Sequence, residues 1–257
     1  SVMLIRAGVS PIATLPIAFL AGALAGMVTG LLNTALGIPG ILASILTQIS
    51  LYSINLNIMG KANQPVSVDN YPLVVSLRYV TDGSVSRLLF FLGMIVFLLA
   101  LIAVMYWYFG TEQGHAIRAT GCNGNMARAQ GINTNFIKVL ALMISNGLVG
   151  LCGALYGQFQ GASDVNMGRG AIVIGLAAVI IGEVLFGKFA SKRKLAFAFT
   201  LASVILGAVI YYMVYQFVLW LKMPSEDMKL FSAIVVAIFL AIPYLKEKRT
   251  LRKGASK

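Results

Sequence analysis

Long, uninterrupted apolar blocks constrain this chain more than any other feature. Seven of them occupy 11–33, 38–59, 88–109, 136–160, 171–187, 195–221 and 229–245. About 20 apolar residues in a helix, rising 1.5 Å each, cross the hydrocarbon core of a bilayer. Backbone in that core has no water to bond, which selects helices over open strands. The fifth and seventh blocks are short, so they are expected to be little tilted or broken. Hydrophobic residues make up 59% of the 257 and charged residues 11%. A soluble domain carries roughly 25% charged residues. The expected fold class is therefore all-α: a single polytopic transmembrane domain over 1–257, with seven spans visible. The chain opens at Ser1 without an initiator Met, and its apolar stretch runs on through Gly22 to Gly30, too far for a signal-peptide core. An eighth span upstream is expected.

The 20 Lys and Arg against 8 Asp and Glu give a net charge of +12. In a soluble protein that balance points to nucleic acid. Here the basic residues cluster at the ends of apolar blocks, where anionic lipid and the positive-inside bias place them, so no nucleic-acid partner is expected. With the tail KEKRTLRKGASK cytoplasmic, Arg118, Arg128, Lys138, Lys188, Lys192, Arg193, Lys194 and the tail's six basic residues face inward, thirteen in all. Arg6, Lys61, Arg78, Arg87, Arg169, Lys222 and Lys229 face outward, seven in all. That asymmetry makes 60–87 an extracellular loop, 111–135 a cytoplasmic segment and the C-terminus cytoplasmic.

Chemistry in this chain is expected to be sparse. Cys122 and Cys152 have neither disulfide nor metal spacing, and the lone His115 cannot build a metal site. Gly182–Lys188 reads GEVLFGK, the opening of a phosphate-binding loop, but Phe189 stands where Ser or Thr must hold Mg²⁺. No catalytic constellation is present, so the chain is read as a non-enzyme without a cofactor of its own.

Small and polar residues mark the helix faces that do not meet lipid. Gly22, Gly26 and Gly30 fall on one edge of the first block, the spacing that lets helix backbones approach closely. In the fourth block Asn146, Gly150, Gly153, Gly157 and Gln160 alternate at four and three residues, forming one face. Plain packing accounts for the glycines, whereas Asn146 and Gln160 mark a pathway or a buried hydrogen bond. Ser44, Gln48, Tyr52 and Asn55 form a narrow polar arc on the second block. That arc either packs on another helix or lines a water-accessible passage. Glu183 is the carboxylate inside an apolar block, a candidate for an ion role that its nearness to Lys188 weakens. These seven polar residues are the candidate translocation path.

The segment 111–135, TEQGHAIRATGCNGNMARAQGINTN, is too polar to span and too rich in helix formers to be loose. Gly114–Thr120 predicts a short helix, and Cys122–Asn125 supplies residues that tolerate left-handed backbone. Met126–Gln130 predicts a second helical turn ended by Gly131, with Thr134 capping the next span. Its bland reading is a structured connector between two spans.

The run GHAIRATGCNGNMARAQGIN, followed by an apolar glycine-rich helix, resembles the coupling segment of ABC importer permeases of the branched-chain amino-acid and ribose group. The matching positions are Gly114, Arg118, Ala119, Thr120, Asn123, Ala127, Gly131 and Ile132. The wording from Gly22 to Gly60, including LGIPG and LYSINLNIMGKAN, resembles a bacterial tryptophan- or hydrophobic amino-acid-type subgroup. The resemblance covers nearly the whole chain. It implies a multi-pass permease of the bacterial plasma membrane, working as a homodimer or pseudo-dimer. Cytoplasmic ATPase subunits, which carry ATP and Mg²⁺, would dock on 111–135, and an extracellular or lipid-anchored binding protein would deliver the solute. Tyr52, Tyr156, Phe159, Gln48 and Asn146 point to a fairly apolar solute, an aromatic or branched amino acid, and also accommodate a larger ligand such as a tetrapyrrole. The alternative class is a stand-alone secondary transporter or channel, which would favour inverted repeats and several intramembrane ionisable groups.

Overall fold

A computed structural model describes residues 1–66, 73–76, 84–168, 171–190 and 196–220, together with Ala237 and Ala241. Apart from Ala237 and Ala241, the seventh block lies outside the described residues, as do the basic tail and most of the apolar core of loop 60–87. The chain forms helices α1 (Val2–Arg6), α2 (Pro11–Thr34), α3 (Gly40–Met59), α4 (Ser84–Phe109), α5 (Glu112–Cys122), α6 (Gly124–Ala129), α7 (Thr134–Gln160), α8 (Ala171–Ala190) and α9 (Ala196–Trp220). Two three-residue strands, β1 (Asn63–Pro65) and β2 (Ala162–Asp164), pair antiparallel.

Among the described residues, five helices are long and apolar enough to cross a membrane: Pro11–Thr34, Gly40–Met59, Arg87–Phe109, Thr134–Gln160 and Phe197–Phe217. The 24 residues of α2 extend about 36 Å, longer than a hydrocarbon core of about 30 Å. Helix α8, Ala171–Ala190, covers the fifth block. Helix α4 buries none of its most apolar window. Such exposure is untenable in water and ordinary in lipid. The fold is an all-α polytopic membrane protein.

The residues cluster into two compact units, Ser1–Met167 and Gly168–Lys257. In the first, α2 and α7 form the closest pair, and the glycines explain it. A Cβ on Gly22 would stand 2.3 Å from the Asn146 carbonyl oxygen, and one on Gly26 2.3 Å from that of Leu142. A Cβ on Gly150 would stand 2.4 Å from the Ala18 carbonyl oxygen. Only hydrogen at these positions permits backbone-to-backbone contact, the main source of helix association in lipid. Helix α3 folds back on α2 through a turn tied by Asn33 Nδ2, which donates to the Ile38 carbonyl at 2.8 Å. The pair is stitched by Thr29 Oγ1 donating to Thr47 Oγ1 at 2.9 Å, both side chains being buried.

The antiparallel path of α2, α3, α4 and α7 sorts the connections to two ends. One end carries α1, the β1–β2 ribbon and 73–76, with Val2, Ile5, Val66 and Leu73 as its apolar core. The other carries the α2–α3 turn and the α5–α6 elbow. Residues 60–66 and 73–76 thus sit at the opposite end of this unit from segment 111–135. In the second unit α8 and α9 cross where a Cβ on Gly182 would meet the Ser203 carbonyl oxygen at 2.2 Å and one on Gly207 that of Ala178 at 2.1 Å.

Candidate functional site

The α5–α6 elbow is built almost entirely from backbone capping. Thr111 starts α5: its Oγ1 accepts from the Gly114 N–H at 3.4 Å while its hydroxyl donates to the Tyr108 carbonyl at 2.6 Å. Gly114 is buried where α5 turns off the end of α4, and a Cβ there would stand 2.4 Å from Phe109 Cα. Asn123 ends one helix and begins the next. Its N–H donates to the Ala119 carbonyl at 3.0 Å, and its Oδ1 accepts from Asn125 and Met126 N–H groups at 3.1 Å. Helix α6 closes with Gly131 at φ +85° and Ile132 N–H donating to the Ala127 carbonyl at 3.1 Å, a Schellman stop.

Two details refine the sequence expectation. Residues 122–125 tolerate left-handed backbone but do not use it at Asn123, which takes φ −155°, because an N-cap residue needs extended backbone for its side chain to reach the next N–H groups. Asn133, not Thr134, caps α7, with Oδ1 accepting from Phe136 N–H at 3.2 Å. Thr134 is buried, and its hydroxyl accepts from Arg128 Nη2 at 3.1 Å.

The coupling residues named from sequence therefore divide by role. Gly114 and Ala127 are buried inside the elbow, and Asn123 and Gly131 shape its turns. Arg118 and Ala119 are exposed, beside the exposed Gly121, Cys122 and Met126. The Thr120 hydroxyl is buried without a hydrogen-bond partner in the described structure.

The polar rows are carried by different helices packed on α2. Ser44, Gln48, Tyr52 and Asn55 all lie exposed on α3, whose buried residues are Ala43 and Thr47. Among the described residues, then, that row is not covered by a neighbouring helix. Asn146 is half-buried and spends its amide on its own helix, donating to the Leu142 carbonyl at 2.9 Å. Gln160 is exposed at the end of α7, where its Nε2 donates to Tyr156 Oη at 2.6 Å. Of the glycines on the α7 stripe, Gly150 is a packing contact and Gly153 faces open space. Glu183 is exposed on α8, in the second unit.

The buried amide is Gln158, which the sequence did not single out. It is 1% exposed, and its Nε2 donates to the Pro11 carbonyl and to Thr14 Oγ1, each at 3.2 Å. Its Oε1 accepts from Val74 N–H at 3.2 Å. One side chain thereby ties α7, the start of α2 and the 73–76 segment together. No sequence-local signal marks it, since its partners lie 147, 144 and 84 residues away.

Apolar helices of membrane-spanning length, close-packed through glycines, with a capped two-helix elbow at one end of the first unit, define the class: a polytopic helical permease. The chain belongs to the family described as branched-chain amino acid transport system, permease component, which matches residues 1–243. It is thus a permease of the ABC-transporter type. It is 39% identical over 234 residues to a tyrosine transport system permease protein of Clostridioides difficile, covering 91% of this chain and 74% of the relative. Similarity extends to the inner membrane ABC transporter permease protein YjfF of Escherichia coli, 25% identical over 69% of this chain and 53% of that protein. The autoinducer 2 import system permease protein LsrC of Yersinia pseudotuberculosis is 27% identical over 87% of this chain and 59% of its own length. No solved structure matches the chain.

Proposed function

We propose that this chain is the membrane-spanning subunit of an ATP-driven importer for a small amino acid with an apolar or aromatic side chain. Tyrosine is the first solute to test, because the relative at 39% identity is named for tyrosine transport. The observation that carries the coupling part is the elbow: two short helices, capped at Thr111 and Asn123 and stopped at Gly131, held rigidly on the ends of α4 and α7. A rigid elbow transmits the displacement of a docked subunit to two spans, which a slack loop would absorb. Its exposed Arg118, Ala119 and Met126 form the face offered to a cytoplasmic ATPase, and the family membership supports that partner.

The exposed row Ser44, Gln48, Tyr52 and Asn55 faces a water-accessible path, because amides and hydroxyls are costly against lipid. A second copy of the permease across that path completes it, and a binding protein delivers solute at the β1–β2 end. The elbow and the C-terminus are cytoplasmic in this reading, which follows the excess of basic residues on that side. Reconstitution in liposomes with the co-expressed ATPase and binding protein tests the function. ATP-dependent uptake of labelled tyrosine that excess unlabelled tyrosine abolishes supports it. Uptake driven by an ion gradient without ATP overturns it.

A further inference from the structure

Of the three rings that the sequence offers to a solute, two are already engaged. Tyr156 Oη accepts from Gln160 Nε2 at 2.6 Å, and Phe159 stacks on Phe90 with ring centroids 6.3 Å apart. Tyr52 on α3 is 43% exposed, and among the described residues its ring and its hydroxyl have no partner. Its neighbours on the row are placed alike. Gln48 lies one turn before it and Asn55 one turn after it, and among the described residues neither amide is hydrogen-bonded. Ser44, by contrast, donates to the Gly40 carbonyl of its own helix at 2.8 Å.

Helix α3 has 20 residues, about 30 Å of axis, and Gln48 stands about 12 Å along it from Gly40. Tyr52 follows about 6 Å further on, and Asn55 about 4.5 Å beyond that. An amide so far from either end of a span is costly against hydrocarbon, so a polar group meets it. The chemistry of the row describes that group. A ring face takes an aromatic side chain in offset or edge contact. An amide both donates and accepts, so the pair serves an ammonium and a carboxylate without holding either as firmly as an ion pair does. No charged side chain lies on α3, so the row suits a solute of zero net charge. A zwitterionic amino acid with an aromatic side chain has each of these parts.

We propose that Tyr52 is the residue by which the permease itself selects an aromatic amino acid, its ring stacking on the solute's side chain while Gln48 and Asn55 hold the polar end. This rests on the reading of the row as a wall of the solute path, and it adds a selecting step after the binding protein. Tyr52 acts on the transfer of solute from the binding protein into the path. A stacked pair supplies about 2- to 12-fold in such a step. Gln48 and Asn55 meet groups common to all amino acids, so they affect every solute alike.

The assay is ATP-driven uptake into liposomes carrying the permease, its ATPase and the binding protein. Labelled tyrosine or labelled leucine saturates the binding protein, so the maximal rates report the permease. Tyr52→Leu is expected to lower the tyrosine rate roughly 2- to 12-fold and leave the leucine rate unchanged, and Tyr52→Phe to keep the wild-type tyrosine rate. Gln48→Leu is expected to lower both rates. A tyrosine rate that Tyr52→Leu leaves unchanged, or rates that fall in parallel, overturns the assignment while the importer reading stands. So does a wild type that imports leucine but not tyrosine. A Tyr52→Phe variant that falls as far as Tyr52→Leu shows that the hydroxyl is used rather than the ring, and overturns it too. Tyr52→Met replaces Tyr52→Leu if that variant fails to fold, and failure of both shows a ring packed under a helix, which also overturns it. A wild type that takes up neither solute with ATP overturns the importer reading and this inference together.

Discussion

Substituting Gly26 with Ala tests whether the α2–α7 contact is as close as the structure has it. The new methyl carbon would stand 2.3 Å from the Leu142 carbonyl oxygen, 2.7 Å from its carbon and 2.9 Å from Met143 Cα. All three are backbone atoms of a helix, so no rotamer change relieves the clash. Restoring an ordinary contact requires the axes to separate by about 1 Å, and the neighbouring contacts at Gly22 and Gly150 then loosen with it. Overpacking of this kind costs about 1–3 kcal/mol. For a chain of this size that lowers the midpoint by roughly 3–10 °C. The assay is apparent thermal unfolding in mild detergent, followed by intrinsic tryptophan fluorescence, at one fixed heating rate because such unfolding is often irreversible. Gly153→Ala on α7 is the internal control, since a Cβ there meets nothing within 4 Å. Gly26→Ala is expected to fall well below wild type while Gly153→Ala matches it. Equal midpoints for the two would refute the backbone-contact reasoning.

Other positions give sharper tests of single interactions. Asn123→Ala removes the acceptor for the Asn125 and Met126 N–H groups and is expected to cost about 1 kcal/mol; it should also reduce ATPase coupling, and Asn123→Ser should restore both. Gln158→Leu leaves the Val74 N–H without its buried acceptor and is expected to cost about 1–3 kcal/mol, with faster proteolysis near 73–76. Thr120→Val discards a buried hydroxyl that lacks a partner, so its thermal midpoint should equal or exceed that of wild type, and a drop would show that the hydroxyl is satisfied.

The features legible in the sequence were those written in local spacing. A 20-residue apolar block has few alternatives to a spanning helix, so 11–33 and 38–59 became Pro11–Thr34 and Gly40–Met59 within a few residues. Glycines four apart at Gly22, Gly26 and Gly30 predicted a close approach, and the approach is there. The elbow was legible for the same reason, because Asn and Gly stop and start helices through their own backbone chemistry. The Thr134 cap was misplaced by one residue because Asn133 is an equally good acceptor, and burial of Thr134 against Arg128 decided between them. What stayed hidden depends on long-range contact. Strands of three residues carry no readable alternation, so β1 and β2 looked like loop. Gln160 and Gln158 lie two positions apart on α7 and so on opposite faces. The one chosen from the stripe is exposed, and the one passed over is the buried hub.

The account turns on the α5–α6 elbow being the ATPase-docking end. A photo-crosslinking residue placed at Met126, which is 59% exposed, and separately at Lys61 beside β1, tests this in membranes containing the co-expressed ATPase. The account predicts a cross-linked permease–ATPase band from position 126 and none from position 61. Cross-linking from 61 with silence at 126 would contradict it, and with it the orientation of every span.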